Sequence, residues 1–234
     1  MSLAPPTPPA PAPVPAPAAP AVPPRLLMTR AEFEAAADDP GTRCEWLGYT
    51  DETRDGEPLG EVWPRFGFDP DGSFLMANAI HSRISSNVFI ALAGAVDRDR
   101  WYVLAQDAEV GCSTGRHRFP DIVVTPEPPE YAPAPGRVPR VLLNPAVCVE
   151  VLSDSTAAVD LTEKTADYLS VPSVTDYLVV GQTREVLHHR RASGEQPARW
   201  RVTRHTDPAA AVDLTAPPLT LPLADIYRRV PGAA

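Results

Sequence analysis

A chain of 234 residues, 44% of them hydrophobic, is long enough for one sizeable α/β domain with a buried core. Its formal net charge of -9 and its pI near 5.0 argue against a general nucleic-acid coat protein, which would present a basic surface. No run of about 18 apolar residues offers a membrane span, and the dispersed Cys44, Cys112 and Cys148, with no C-x-x-C pair, indicate neither a disulfide framework nor a zinc site.

Residues 1–24 ("MSLAPPTPPAPAPVPAPAAPAVPP") hold 11 of the 30 prolines, seven alanines and no charged side chain. That composition favours extended polyproline conformations, cannot pack a core, and is expected to stay disordered. The segment lacks the basic start and unbroken apolar stretch of a secretory signal, so the chain reads as soluble and cytoplasmic. Residues 25–234 are expected to form the single domain.

In "MTRAEFEAAADD" (28–39), Thr29 stands three residues before Glu32 ahead of alanine-rich helical spacing, which predicts a capped first helix. "HSRISSNVFIALAGAV" (81–96) puts Ile84, Val88, Leu92 and Val96 four residues apart and predicts a core-facing helix. The period then shortens. "RWYVLAQDAEV", "FPDIVV", "AVCVEVL", "TDYLVVG", "REVLHHRR" and "ARWRVTR" are β-branched or aromatic runs broken by Gly, Pro and Ser clusters, and read as strands. The last two, separated by "ASGEQP", read as a hairpin. Residues 184–205 carry six arginines (Arg184, Arg190, Arg191, Arg199, Arg201, Arg204) against Glu185 and Glu195, so one end of the domain is expected to be basic.

Between "AVCVEVL" and "TDYLVVG" lies "STAAVDLTEKTADYLS", with Ser155 or Thr156 as cap and Pro172 beyond the end. Strand, helix and strand in that order predict a right-handed βαβ crossover. The chain has no Gly-rich phosphate loop, no H-E-x-x-H and no nucleophile elbow.

Three charges stand in apolar company. Glu150 lies inside "VCVEVL" and Asp121 heads "DIVV", where an ionised carboxylate is costly unless it meets a cation or several donors. Each alone is as well explained as a satisfied structural carboxylate. The third is Lys164, the one lysine among 21 cationic residues. On the crossover helix it follows Ala157 and Leu161 and precedes Tyr168 at helical spacing, in or beside the stripe facing the sheet. An exposed pair with Asp160 is the alternative, but an arginine would serve that equally well. A helix starting near Ala157 has advanced roughly 10 to 12 Å by Lys164, and a lysine side chain leaning toward the helix N-terminus can close most of the gap back to Glu150. Two carboxylates and a lysine at a strand end suit Mg²⁺-dependent phosphodiester hydrolysis. The acids hold the metal, and lysine can release a proton or stand as a compact charge beside the attacking water.

With those residues in hand, the chain resembles the Uma-two family of restriction endonuclease-like nucleases, within the PD-(D/E)xK superfamily. The likeness runs from about Met28 to Val230 and rests on "FPDIVV", "LLNPAVCVEVLSDSTAAVDLTEKTADYLSVPSVTDYLVV" and "LPLADIYRRV". It implies a restriction endonuclease-like mixed β-sheet flanked by helices, Mg²⁺ (or Mn²⁺) bound by Asp121, Glu150 and the Val151 carbonyl, and a DNA substrate. In the superfamily the lysine usually stands two residues after the glutamate. Leu152 holds that place here, and Lys164 matches the family's displaced lysine. The resemblance also proposes Glu45 of "RCEW" as a further acid and His81 of "IHSRI" as a site residue. The stretch from Gly48 to Phe74 is longer than usual for the family and leaves Glu57 as a competitor of Glu45. His81 as a helix cap and Asp107 as a strand end are the structural alternatives. Two-fold dimers are the common form for proteins that cut both strands. A non-catalytic binding or assembly protein that keeps the fold is the rival expectation.

Overall fold

The computed structural model of the protein describes residues 26–37, 44–64, 79–136, 138–152, 161–193 and 199–232. The 1–24 segment lies outside the described residues, as do Ser155, Thr156 and Ala157 at the expected start of the crossover helix.

Strand β1 (Leu26–Thr29) runs directly into helix α1 (Arg30–Ala37). The junction is a reciprocal cap. The Glu32 N–H donates to Thr29 Oγ1 at 3.1 Å, and the Thr29 N–H donates to Glu32 Oε2 at 2.8 Å. Thr29→Ala should therefore cost about 1 kcal/mol, read as a lower denaturation midpoint at unchanged slope, and an unmoved midpoint would show the cap to be idle. Strands β2 (Cys44–Arg54) and β3 (Glu57–Pro64) form a hairpin that turns at Asp55 and Gly56, with φ of 53° and 84°. The sequence reading assigns no strands here, although Asp-Gly between extended runs marks such a turn because both positions need positive φ.

Helix α2 (Ala79–Ala95) buries Ile84, Val88 and Leu92 completely, as its four-residue stripe predicts. Then follow β4 (Trp101–Ala105), the short β5 (Glu109–Gly111) and β6 (His117–Arg118), β7 (Ile122–Pro126), the short β8 (Val141–Leu142) and β9 (Val147–Val151). Helix α3 (Glu163–Ser170) leads to β10 (Asp176–Val180), β11 (Val186–Arg191) and β12 (Trp200–His205). A last hairpin, β13 (Ala211–Leu214) with β14 (Leu219–Pro222), ends in the single turn α4 (Leu223–Ile226).

Six strands form the main sheet in the order β12-β11-β10-β9-β7-β4, with β9 and β10 parallel and all other neighbours antiparallel. This is the mixed α/β sheet expected, with the strand–helix–strand unit and the β11–β12 hairpin in their expected places. The strand period of two divides the core. Ile122, Val124, Val147, Val149, Leu178 and Val180 face one side, where they meet α2, β13, β14 and α4. Val123, Cys148, Tyr177 and Val179 face the other, where Tyr168 of α3 covers them. Cys112 and Cys148 are buried free thiols, as expected of packing residues.

The tail "LPLADIYRRV" earns its specificity by packing. Leu221, Leu223, Ile226 and Tyr227 are buried, and the Tyr227 hydroxyl lies 2.7 Å from the Glu185 carbonyl and 3.0 Å from that of Gly181, while accepting the Glu185 N–H at 2.9 Å. Burial pushes that phenol up to about 12. The Asn87 amide of α2 donates to the Ile226 and Arg228 carbonyls, tying helix to tail.

At the expected basic end some arginines are engaged by the fold and others stay exposed. Arg191 donates to the Val174 and Val171 carbonyls at 2.7 Å each and stacks on Trp200, Arg190 donates to Thr215, and Arg204 pairs with Glu185. Arg191 is thus tied to backbone carbonyls ahead of β10, whereas Arg190, Arg201 and Arg204 remain exposed.

Candidate active site

Strands β7 and β9 pair antiparallel with Ile122 opposite Val149. Continuing that register by one residue sets Asp121, just before β7, across from Glu150 near the end of β9. Glu150 alternates with Val149 and so turns to the side that α3 covers, while Asp121, at the strand end, reaches both the backbone beside Glu150 and His81 of α2. The Asp121 and Glu150 carboxylates are nearly inaccessible, at 8% and 3% exposure, which makes their partners decisive.

Asp121 Oδ2 accepts the Val151 N–H at 2.8 Å and lies 3.2 Å from His81 Nε2. Burial by itself would raise this carboxyl. The His81 hydrogen bond and charge, the Val151 N–H and the charge of Lys164 outweigh it and hold the group below its ordinary value. Asp121 thus stays an anion inside the protein. His81 is the third residue of α2, not its cap, because the helix begins two residues earlier at Ala79. Its Nδ1 sits 3.5 Å from the Ser85 hydroxyl one turn on, which leaves Nε2 turned to Asp121.

Glu150 Oε1 accepts the Tyr168 hydroxyl at 2.7 Å and lies 3.3 Å from Lys164 Nζ. Lys164 and Tyr168 are four residues apart on α3, so one helix face delivers both groups to one carboxylate. The lysine side chain is only 12% exposed, the inward placement its spacing predicts. Leu161, expected in the same stripe, is instead 43% exposed, since it precedes the regular turns of α3 that begin at Glu163.

The other candidates fall differently. Glu45 lies in β2 across from Trp63, and its side chain is outside the described residues. Glu57, its competitor, is exposed beside the hairpin turn. Asp107 is exposed in the turn after β4, whose Gln106 N–H donates to the Asp121 carbonyl at 2.9 Å and so borders the site. Val151, the residue after Glu150, is buried and gives its N–H to Asp121. Among the described residues, no group of three or more His, Cys, Asp or Glu is assembled to hold a metal ion. A cavity of about 470 Å³ is lined by β2 residues with Glu61, Arg116, Arg118 and Glu163, and neither Asp121 nor Glu150 belongs to its lining.

Sequence reasoning missed Arg118 and Asp167, the most deeply buried ion pair near the site, at 0% and 1% side-chain exposure. An acid next to a core tyrosine in "TADYLS" was the available signal.

The described residues contain no helix long and apolar enough to cross a membrane. An uncharacterized protein, sll1609, from Synechocystis sp. (strain ATCC 27184 / PCC 6803 / Kazusa) is 24% identical over 178 residues, covering 76% of this chain and 86% of that protein. The crystal structure described as "a putative nuclease belonging to DUF820 from Anabaena variabilis ATCC 29413" superposes with a TM-score of 0.52 at 16% identity, covering 67% of this chain and 87% of that one. At that identity the likeness speaks for the fold, a restriction endonuclease-like mixed sheet flanked by helices. A sequence model described as "Putative restriction endonuclease" matches residues 64–224, which takes in Asp121, Glu150 and Lys164 and leaves Glu45 and Glu57 upstream. The match covers more than half of the protein and takes in the segment that builds the buried carboxylates, so the chain belongs to the Uma2 family.

Proposed function

We propose that the protein is a Mg²⁺-dependent endonuclease that hydrolyses phosphodiester bonds of DNA. The carrying observation is the placement of the one lysine, Nζ 3.3 Å from the buried Glu150, whose next residue gives its N–H to a second buried carboxylate, Asp121.

The donor chemistry fits a hard divalent ion. Magnesium is held through one or two carboxylates and keeps several waters, and Asp121 and Glu150 offer that kind of oxygen donor. Asp121 and Glu150 would hold the ion, with the Val151 carbonyl as a third oxygen. Among the described residues Oδ1 of Asp121 accepts no hydrogen bond, while Oδ2 takes both partners. When bound, the ion would neutralise charge on the phosphate and acidify water.

The chain's own residues do the rest. His81 and the Val151 N–H fix the Asp121 carboxylate and keep it ionised. Tyr168 fixes Glu150 from the helix side. Lys164, a compact cation on a flexible stem, orients the attacking water or takes its proton, a task closed to a permanently charged guanidinium.

Purified protein should nick supercoiled plasmid with Mg²⁺ or Mn²⁺ and stop when the ion is chelated. Nicking that persists undiminished in chelator would overturn the metal dependence. The non-catalytic rival draws on the net charge of -9 and on Arg191, whose guanidinium is committed to backbone carbonyls. Titration calorimetry separates the two, since a scaffold predicts no Mg²⁺ heat and no nicking.

A further inference from the structure

We infer that the buried pair Arg118–Asp167 is a positioning device for Lys164, acting through helix α3. This rests on the nuclease reading in so far as Lys164 serves catalysis. Helix α3 is eight residues long, and its N-cap Thr162 makes no side-chain capping bond. A helix so short has little stability of its own, so tertiary contacts must fix where it lies on the sheet. A slip of one residue would turn each side chain by about 100° and move it about 1.5 Å along the axis, enough to take Nζ off Glu150.

Two sides of the helix are held. Lys164 and Tyr168 reach Glu150 on β9. Asp167 reaches back to the β5–β6 region, where both its oxygens are engaged. The Arg118 Nε–H donates to Oδ2 at 2.7 Å, the Thr114 hydroxyl donates to Oδ1 at 2.7 Å, and Arg116 Nη1 stands 3.6 Å from Oδ2. Glu163 extends the contact, 3.5 Å from Arg116 and 3.6 Å from Arg118. Ser170, at the last turn, donates to the Asp167 carbonyl and accepts the Ser113 N–H.

A buried ion pair is weak grounds for a stability role, because an apolar pair of similar volume commonly serves as well or better. What the pair supplies is direction: with Arg118 Nε on Oδ2 and the Thr114 hydroxyl on Oδ1, both Asp167 oxygens are held from fixed points, which favours one axial position and one rotation of α3. Arg118 also lies three residues before Asp121 on the same segment. One stretch of chain therefore places an acid of the proposed site and aligns the helix that carries the ammonium.

Lys164 being the only lysine, its acetylation by an N-hydroxysuccinimide ester can be followed by mass spectrometry of tryptic or Glu-C peptides in the full chain. Arg118→Met should speed Lys164 acetylation severalfold below the melting temperature and lower kcat for plasmid nicking roughly ten- to a hundredfold, with KM little changed. Thr114→Val removes one hydrogen bond, keeps every charge, and should shift both readouts the same way by less. A pair that only stabilises would lower Tm and leave both unchanged. The inference is overturned if Lys164 stays as protected as in the parent and kcat holds in folded Arg118→Met, or in Thr114→Val should the first variant not fold. If the parent protein does not nick DNA, the nuclease reading falls while the acetylation rates still decide whether the pair positions Lys164.

Discussion

Lys164→Ala is expected to lower the Mg²⁺-dependent nicking rate by ~10² to 10⁴-fold, the range in which a positioned proton-transfer group contributes. The side chain removed is 12% exposed and ends 3.3 Å from Glu150, so no other described cation of that chemistry can take its place. Glu150 keeps the Tyr168 hydroxyl at 2.7 Å and so retains one strong donor, which limits the structural damage and lets the loss be read as chemistry. Lys164→Arg should not restore the rate. A guanidinium keeps its proton, is planar and larger than an ammonium, and must enter a space already bounded by Glu150 and Tyr168. Initial rates on supercoiled plasmid, compared at equal folded concentration, make the measurement, and full activity in the alanine variant would remove the lysine from the mechanism.

Asp121→Asn should abolish the Mg²⁺ heat in titration calorimetry and cut nicking by at least about a hundredfold, since even the outer-shell partners of metal ligands are worth up to that much. The replacement is nearly isosteric. Its carbonyl oxygen can still accept the Val151 N–H, now seen at 2.8 Å, and the His81 contact at 3.2 Å, while the charge is gone. That separates the two readings of the residue. A carboxylate present only to tie β9 to the start of β7 would lose little on becoming an amide, and ion binding in the variant equal to that of the parent would favour it. The depressed protonation of Asp121 argues for the other outcome, because the protein has arranged His81, Val151 and Lys164 so that burial does not neutralise it.

How much of this was legible beforehand follows from the range of the interactions concerned. The cap at Thr29 and Glu32 spans three residues, and the α2 stripe of Ile84, Val88 and Leu92 repeats every four, so both are written in adjacent letters of the chain. The alternation through β7, β9 and β10 is equally local. The β2–β3 hairpin was missed although its Asp55–Gly56 turn is a short-range signal, because the stretch was read as an insertion rather than by its turn chemistry. The arginine-rich hairpin is likewise legible, but its sequence does not tell Arg191, which donates to carbonyls ahead of β10, from Arg204, whose side chain stays 65% exposed beside Glu185.

From its residues alone, this chain declared a mixed α/β domain and three charges too costly to bury without purpose: Asp121, Glu150 and the one lysine. The Lys164–Glu150 pairing follows from helix geometry, but their other partners came only with the tertiary structure. Val151 meets Asp121 across 30 residues, Tyr168 meets Glu150 across 18, and Arg118 meets Asp167 across 49. Local periodicity tells which face a side chain turns inward, but not what waits there, because strand order and helix rotation are settled by the packing of the whole sheet.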